Sequence, residues 1–202
     1  REAIYHKCSI IFVPGGSSSS GFVPSVTMSR NMLPFEWAEI RRYGFSAFTL
    51  KLILLRFSQI QSFNRAQGVI FLTEYAKRKV LKIARLSKKN IIKIPHGINK
   101  NFFQDPKSRR SRDFNVKSPC KLVYVSILSP YKHQSVVAEA ISILREKGYH
   151  LNMSFVGPKD IGWGKLDSTI KRLDPKNLFL SYDGEVPYED LPKLYSKMDI
   201  AV

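Results

Sequence analysis

Short apolar runs alternate with stretches of helical period along this chain. Leu122-Val123-Tyr124-Val125 has the length and continuity of a buried strand. After a polar loop, Val136, Val137, Ala140, Ile141, Ile143 and Leu144 recur at helical spacing, up to a Gly148 placed as a helix C-cap. Residues 121–148 therefore predict strand, loop, helix. The pattern then repeats: a strand from Leu151 to Val156, a short helix over 162–172, a strand from Asn177 to Tyr182, and a turn at Asp183-Gly184-Glu185-Val186-Pro187. An amphipathic helix carrying Leu191, Leu194 and Tyr195 follows, and a strand begins at Asp199-Ile200-Ala201-Val202. Alternation of this kind predicts a parallel sheet with helices on both faces.

The first half is also mixed. Ser9 to Val13 and Val23 to Met28 read as strands, joined by Pro14-Gly15-Gly16 and a serine run, Ser17 to Ser20. The glycine pair is a turn former and would also let backbone approach a phosphate. Residues 38–65 predict a helix broken near Gly44, with Leu50, Ile53, Leu54, Phe57 and Ile60 on one face and Lys51, Arg56, Gln59 and Arg65 off it. That face is expected to pack on a sheet, the alternative being a basic helix that faces a membrane. Gly68 to Leu72 is a strand, and Thr73 caps a helix over 74–86 with Glu74 in its first turn. Lys77, Arg78, Lys79, Lys82, Arg85, Lys88 and Lys89 make either a solvated face or an attraction for anionic lipid. Asn90 to Ile94 is a strand, and Pro95-His96-Gly97 marks an abrupt change of direction, read as a hinge. Residues 100–119, with Pro106, Arg109, Arg110, Arg112 and Pro119, read as a surface connection.

Charge narrows the partners. The 202 residues carry 33 basic and 16 acidic side chains, a net charge of +17, with 44% hydrophobic content. This suits a folded α/β chain with an anionic partner: nucleic acid, an acidic membrane surface or a phosphorylated small molecule. Cys8 and Cys120 form no CxxC pair, so disulfide and metal readings are weak, and both thiols are expected to be reduced and packed. Every apolar run is broken by charge well short of the ~20 residues needed to span a bilayer. The chain opens on Arg1 almost directly into a strand and stops as another begins, which reads as an internal piece of a longer protein.

Lys132 is the leading candidate for chemistry. The pattern puts it at the carboxyl end of a strand, beside the start of a helix near His133, where open α/β sheets bind phosphorylated ligands. GxxxxGK[ST] and GxGxxG are both absent, so a P-loop and a dinucleotide fingerprint have no support. His96, between Pro95 and Gly97, is a candidate to hydrogen-bond a ligand or simply a turn residue. Glu36, Glu39, Asp183 and Glu185 show no spacing that signals acid–base work, and His6, His133 and His150 make no metal pattern.

Taken together, IIKIPHGINKNFF (91–103), KLVYVSILSPYKHQSVVAEAISILREKG (121–148), LNMSFVGPKD (151–160) and LFLSYDGEVPYEDLPKLYSKMDIAV (178–202) resemble glycosyltransferase family 4, retaining sugar-nucleotide enzymes of the GT-B fold. VTMSRNMLPFE (26–36) and GVIFLTEYAKR (68–78) resemble the later part of that family's N-terminal domain. The resemblance implies two Rossmann-like domains with parallel sheets, both incomplete here: residues 1–95 on the acceptor side and 96–202 on the donor side.

The resemblance also implies roles. Lys132 matches the lysine that binds the donor diphosphate. Members commonly carry a Gly-Arg pair a few residues earlier; Ser126-Ile127 stands there, leaving Ser126 and Ser129 to donate neutral hydrogen bonds. His96 matches the residue that opens the second domain and takes the catalytic position. Gly184 and Val186 match the turn near the nucleotide base. Arg30 and Asn31 occupy the acceptor-side place where many members have a histidine. The family's first Gly-rich loop and its paired glutamates would lie outside these residues, so residues 1–202 alone are expected to be inactive. The implied activity is hexosyl transfer from a nucleotide-sugar to a glycan or lipid-linked acceptor, as in polysaccharide biosynthesis, with no required metal or other cofactor. The expected setting is cytoplasmic, peripheral to an anionic membrane face, without nucleic acid. A basic nucleic-acid-binding module and a non-catalytic scaffold are the alternatives; helix-turn-helix, RNP and zinc signatures are absent.

Overall fold

The computed structural model describes residues 6–86, 90–103 and 114–202. Lys88, Lys89, Pro106, Arg109, Arg110 and Arg112 of the basic stretches lie outside the described residues. The chain forms two compact units, 1–97 and 98–202, and His96 and Gly97 are the last two residues of the first.

In the first unit β1 (Ile11–Val13), β2 (Ser25–Ser29), β3 (Gly68–Phe71) and β4 (Asn90–Lys93) lie side by side in chain order, all parallel. A 3-10 turn at Leu33–Phe35, α1 (Trp37–Arg41) and α2 (Ala47–Arg65) join β2 to β3, and α3 (Glu74–Leu81) follows β3. The expected break at Gly44 is real. Its φ of +58° suits glycine, and Ser46 restarts the helix by accepting the Thr49 N–H. Thr73 caps α3 in the same way, through the Ala76 N–H. The core gathers Phe35, Phe63, Val69, Phe71, Ala76, Val80 and Leu86.

Three expectations change here. α2 buries Leu52, Gln59, Ser62 and Phe63; of the expected face Ile60 packs against the core and Ile53 is half-buried, while Leu50, Leu54 and Phe57 point to solvent. Both faces are apolar, and the one that carries Phe63 meets Phe35 and Phe71. α3 is shorter than the reading of 74–86; Lys82 and Arg85 lie beyond it. Cys120 is buried, but Cys8 is exposed and not packed.

In the second unit the strands run in the order β7-β6-β5-β8, all parallel: β5 (Cys120–Val125), β6 (Leu151–Val156), β7 (Leu180–Tyr182) and β8 (Ile200–Ala201). α4 (Gln134–Glu146), α5 (Trp163–Leu173) and α6 (Leu191–Lys197) fall between successive strands, as the alternation predicts. α4 packs inward through Gln134, Ala138, Ile141 and Ser142, one stripe at helical spacing. Of the six apolar residues that recur at helical spacing, Val136, Ala140, Ile143 and Leu144 are exposed. Leu122, Leu128, Met153, Phe155, Leu166, Ile170 and Leu180 complete the core. Gly148 ends α4 with φ +89°, as expected of a C-cap glycine.

Candidate functional site

The second sheet reverses direction beside β5. The chain moves outward from β5 to β6 to β7, then returns to add β8 on the other side of β5. In open α/β sheets such a reversal leaves a crevice outside the carboxyl ends of the strands, where ligands bind. The loop that leaves β5 at this point, Ser126 to His133, is the one singled out from the sequence.

This loop is tied to its neighbours through main-chain bonds. Ser126 N–H donates to the Val156 carbonyl at 2.9 Å, Leu128 N–H to Pro158 at 3.0 Å, and Gly162 N–H to Leu128 at 2.9 Å. Leu128 also bridges Lys159 in parallel register. Gly157, with φ +135°, donates to the Gly184 carbonyl at 2.8 Å, so the three loops after β5, β6 and β7 are joined. Ser126 and Gly184, predicted separately, flank Gly157; Val186 lies two residues beyond Gly184 and is half-buried.

The tip of the loop is equally constrained. Residues Pro130–Lys132 form a 3-10 turn, and His133 takes a left-handed conformation (φ +57°) from which α4 starts. The Tyr124 hydroxyl donates to the Lys132 carbonyl at 2.7 Å, and buried Gln134 donates through Nε2 to the Ile127 carbonyl at 2.9 Å. Desolvation, and secondarily Tyr131, holds the Tyr124 phenol above its ordinary pKa, so it stays a donor across the neutral range. Ser129 is buried in the turn, its carbonyl accepting the Lys132 N–H at 2.9 Å. Lys132 itself is half-buried. Its ammonium lies 5.2 Å from the Tyr131 ring centroid, and no carboxylate among the described residues pairs with it. A cation at a helix start with no anionic partner is suited to hold an anion.

A second cation stands at the same end of the sheet and was not legible from the sequence. Lys159 Nζ lies 4.1 Å from the Trp163 ring centroid and 5.1 Å from that of Tyr182, and the two rings are 4.6 Å apart. The Tyr182 hydroxyl donates to the Gly157 carbonyl at 3.0 Å. Burial, with Glu185 as a lesser cause, raises the Tyr182 pKa. The local signal was Gly157-Pro158 closing β6; the partner rings come from other elements.

The remaining candidates lie in the first unit. His96 is exposed just after β4, and Arg30 is exposed after β2. Asn31 Oδ1 accepts the Leu33 N–H at 3.0 Å, which starts the 3-10 turn. Glu36 is part of a network that sequence reading missed: Tyr75 donates its hydroxyl to Oε1, and Lys79 Nζ lies 3.1 Å from Oε2. These hydrogen bonds, with Glu36 first and Tyr75 second, raise the Lys79 pKa.

A cavity of about 210 Å³ lies elsewhere, at the amino-terminal ends of β5 and β6, lined by Lys121, Asn152, Asn177 and Met198. It is smaller than the roughly 300–1,000 Å³ of a typical small-molecule site and lacks the cations of the opposite end. Among the described residues no group of three His, Cys, Asp or Glu side chains is placed to hold a metal ion.

No protein-family model and no curated protein matches the sequence. Solved structures do match in chain path. HepE from Anabaena in complex with UDP-glucose is 19% identical with a TM-score of 0.60, over 88% of this chain and 46% of that one. Sucrose-phosphate synthase from Thermosynechococcus elongatus is 12% identical with a TM-score of 0.71, over 99% of this chain and 52% of that one. A glycosyltransferase from Rickettsia africae is 16% identical with a TM-score of 0.60, over 99% and 52%. The chain thus spans about half the length of these three structures. Two parallel α/β sheets in succession, with this likeness, give the chain the fold of GT-B-like glycosyltransferases.

Proposed function

We propose that this chain belongs to a retaining glycosyltransferase of family 4 and that its second unit grips the diphosphate of a nucleotide-sugar. The observation that carries this reading is the position of Lys132: at the carboxyl end of β5, where the sheet reverses, one residue before the left-handed His133 that opens α4. The UDP-glucose held by the fold neighbour HepE supports the same ligand class.

In this reading the bond broken joins the anomeric carbon to the diphosphate, and the sugar passes to a glycan or lipid-linked hydroxyl with its configuration kept. Charge builds on the leaving diphosphate. An ammonium about 4 Å away contributes ~1–4 kcal/mol, and the amino end of α4 adds a favourable dipole. Stabilisation of that kind is usually the largest catalytic term, and it acts here without calling on a metal. Ser126 adds a neutral hydrogen bond in place of the missing Gly-Arg pair, while Gly184 and Val186 border the nucleobase. His96, Arg30 and Asn31 are assigned to the sugar-transfer and acceptor side. A hexose as the group moved and a cytoplasmic, membrane-peripheral setting complete the proposal.

The test is calorimetric titration of the full-length protein with UDP and a panel of sugar nucleotides, beside Lys132→Ala and Lys132→Arg. Lys132→Ala is expected to lose at least about tenfold in affinity and most turnover, with partial recovery in Lys132→Arg. Equal affinity and turnover in Lys132→Ala would remove the site.

A further inference from the structure

α2 is apolar on two opposite sides. Leu52 and Phe63 are buried with Gln59 on the inner side, while Leu50, Leu54 and Phe57 are 58%, 59% and 65% exposed on the outer one. Phe45, in the link that enters the helix, is fully exposed, and an open groove lined by Phe45, Ala47, Leu50 and Ile53 lies beside it. The apolar residues on the outer side have no partner in the fold, and a contiguous exposed patch of this kind marks an interaction surface.

Charge selects the partner. From Ile40 to Thr73 the chain has no acidic residue. Lys51 and Arg65 flank the Leu50/Leu54/Phe57 stripe, and Arg41 is exposed just before the link; Arg42 pairs with Glu39 at 2.8 Å. Aromatic and leucine side chains between exposed cations match a surface that is anionic outside and apolar a few ångströms deeper.

We propose that the outer face of α2, with the Phe45 link, docks on an anionic lipid bilayer. The helix lies in the headgroup plane with Phe45, Leu50, Leu54 and Phe57 toward the acyl chains and Arg41, Lys51 and Arg65 among the phosphates. Its 19 residues would span about 28 Å of that plane. This deepens the functional reading by bringing the protein to a lipid-borne acceptor, yet it is measured without any sugar transfer.

The test is co-sedimentation of the full-length protein with vesicles of phosphatidylcholine alone and of phosphatidylcholine mixed with phosphatidylglycerol. Leu54→Ser/Phe57→Ser, Phe45→Ser and a control in the second unit, Leu178→Ser at an apolar side chain 67% exposed, are run beside the wild type, with thermal melts to show that each is folded. The wild type is expected to bind the mixed vesicles, less so in high salt. The double variant is expected to bind at least about tenfold more weakly, Phe45→Ser severalfold more weakly, and Leu178→Ser unchanged. A wild type that stays in the supernatant, or folded Phe45→Ser and double variants that sediment like it, overturns the proposal. Self-association abolished by the double variant, without vesicle binding, assigns the face to a second copy of the chain and also overturns it.

Discussion

Gly157 presses its α-carbon against the Ser126 carbonyl: a β-carbon built there would fall 2.2 Å from that oxygen. The loop after β6 therefore sets the height of the loop after β5, the one that carries Lys132. Gly162 repeats the arrangement, with a built β-carbon 2.8 Å from the Leu128 carbonyl oxygen.

Gly157→Ala is expected to cost stability and to displace the donor loop. Its φ of +135° is strained for any L residue and the contact is with backbone, so a loss of about 1–3 kcal/mol follows, more if the loop cannot yield. Urea unfolding reads the stability, and titration with UDP should show weaker binding in the folded variant. Gly164→Ala, where the space is open, is the control.

Tyr124→Phe removes one hydrogen bond and leaves Lys132 in place. The expected stability loss is about 0.5–1.5 kcal/mol, with nucleotide affinity reduced only severalfold because the cation remains. The pH dependence has a definite sign. Burial raises the Tyr124, Tyr182 and Tyr195 pKa values, so above the ordinary phenol range the unfolded chain gives up these protons first. Stability is fully present below pH about 10 and falls as pH rises through the folded-state values. Thermal melts between neutral and strongly alkaline pH should show a shallower fall in Tyr124→Phe than in the wild type.

Asp174 holds the turn between α5 and β7. Its buried carboxylate accepts the N–H groups of Leu178, Phe179 and Leu180 at 2.8, 2.6 and 2.8 Å. Asp174→Ala strands these donors and is expected to cost about 3 kcal/mol or more; Asp174→Asn keeps one acceptor oxygen and should cost less. Urea unfolding of both variants checks the order.

Where the sequence was read well, the signal was local. Lys132 could be placed from a strand, a loop and a helix that follow one another within thirty residues or so. Thr73, Gly44 and Gly148 spoke through caps and breaks confined to a single turn. The Lys159, Trp163 and Tyr182 cluster escaped because its members belong to a loop, a helix and a strand whose contact depends on the register of β6 against β7. The Glu36, Tyr75 and Lys79 network escaped for the same reason, joining a loop to a helix beyond the next strand.

α2 shows the dividing line most clearly. Its apolar residues occur on two sides, and spacing alone grouped Leu50, Ile53, Leu54, Phe57 and Ile60 as the packed face, of which Ile60 does pack against the core. Only the tertiary fold decided otherwise, by setting Phe63 between Phe35 and Phe71. The sequence by itself determined the order of strands and helices, the parallel alternation and the cation at the β5 exit, because backbone propensity, side-chain period and caps act over a few residues. The fold decided which face was buried, which loops met at the carboxyl ends and which cations stood free of carboxylates. Those outcomes depend on which distant segments share a neighbour, and no local period encodes that.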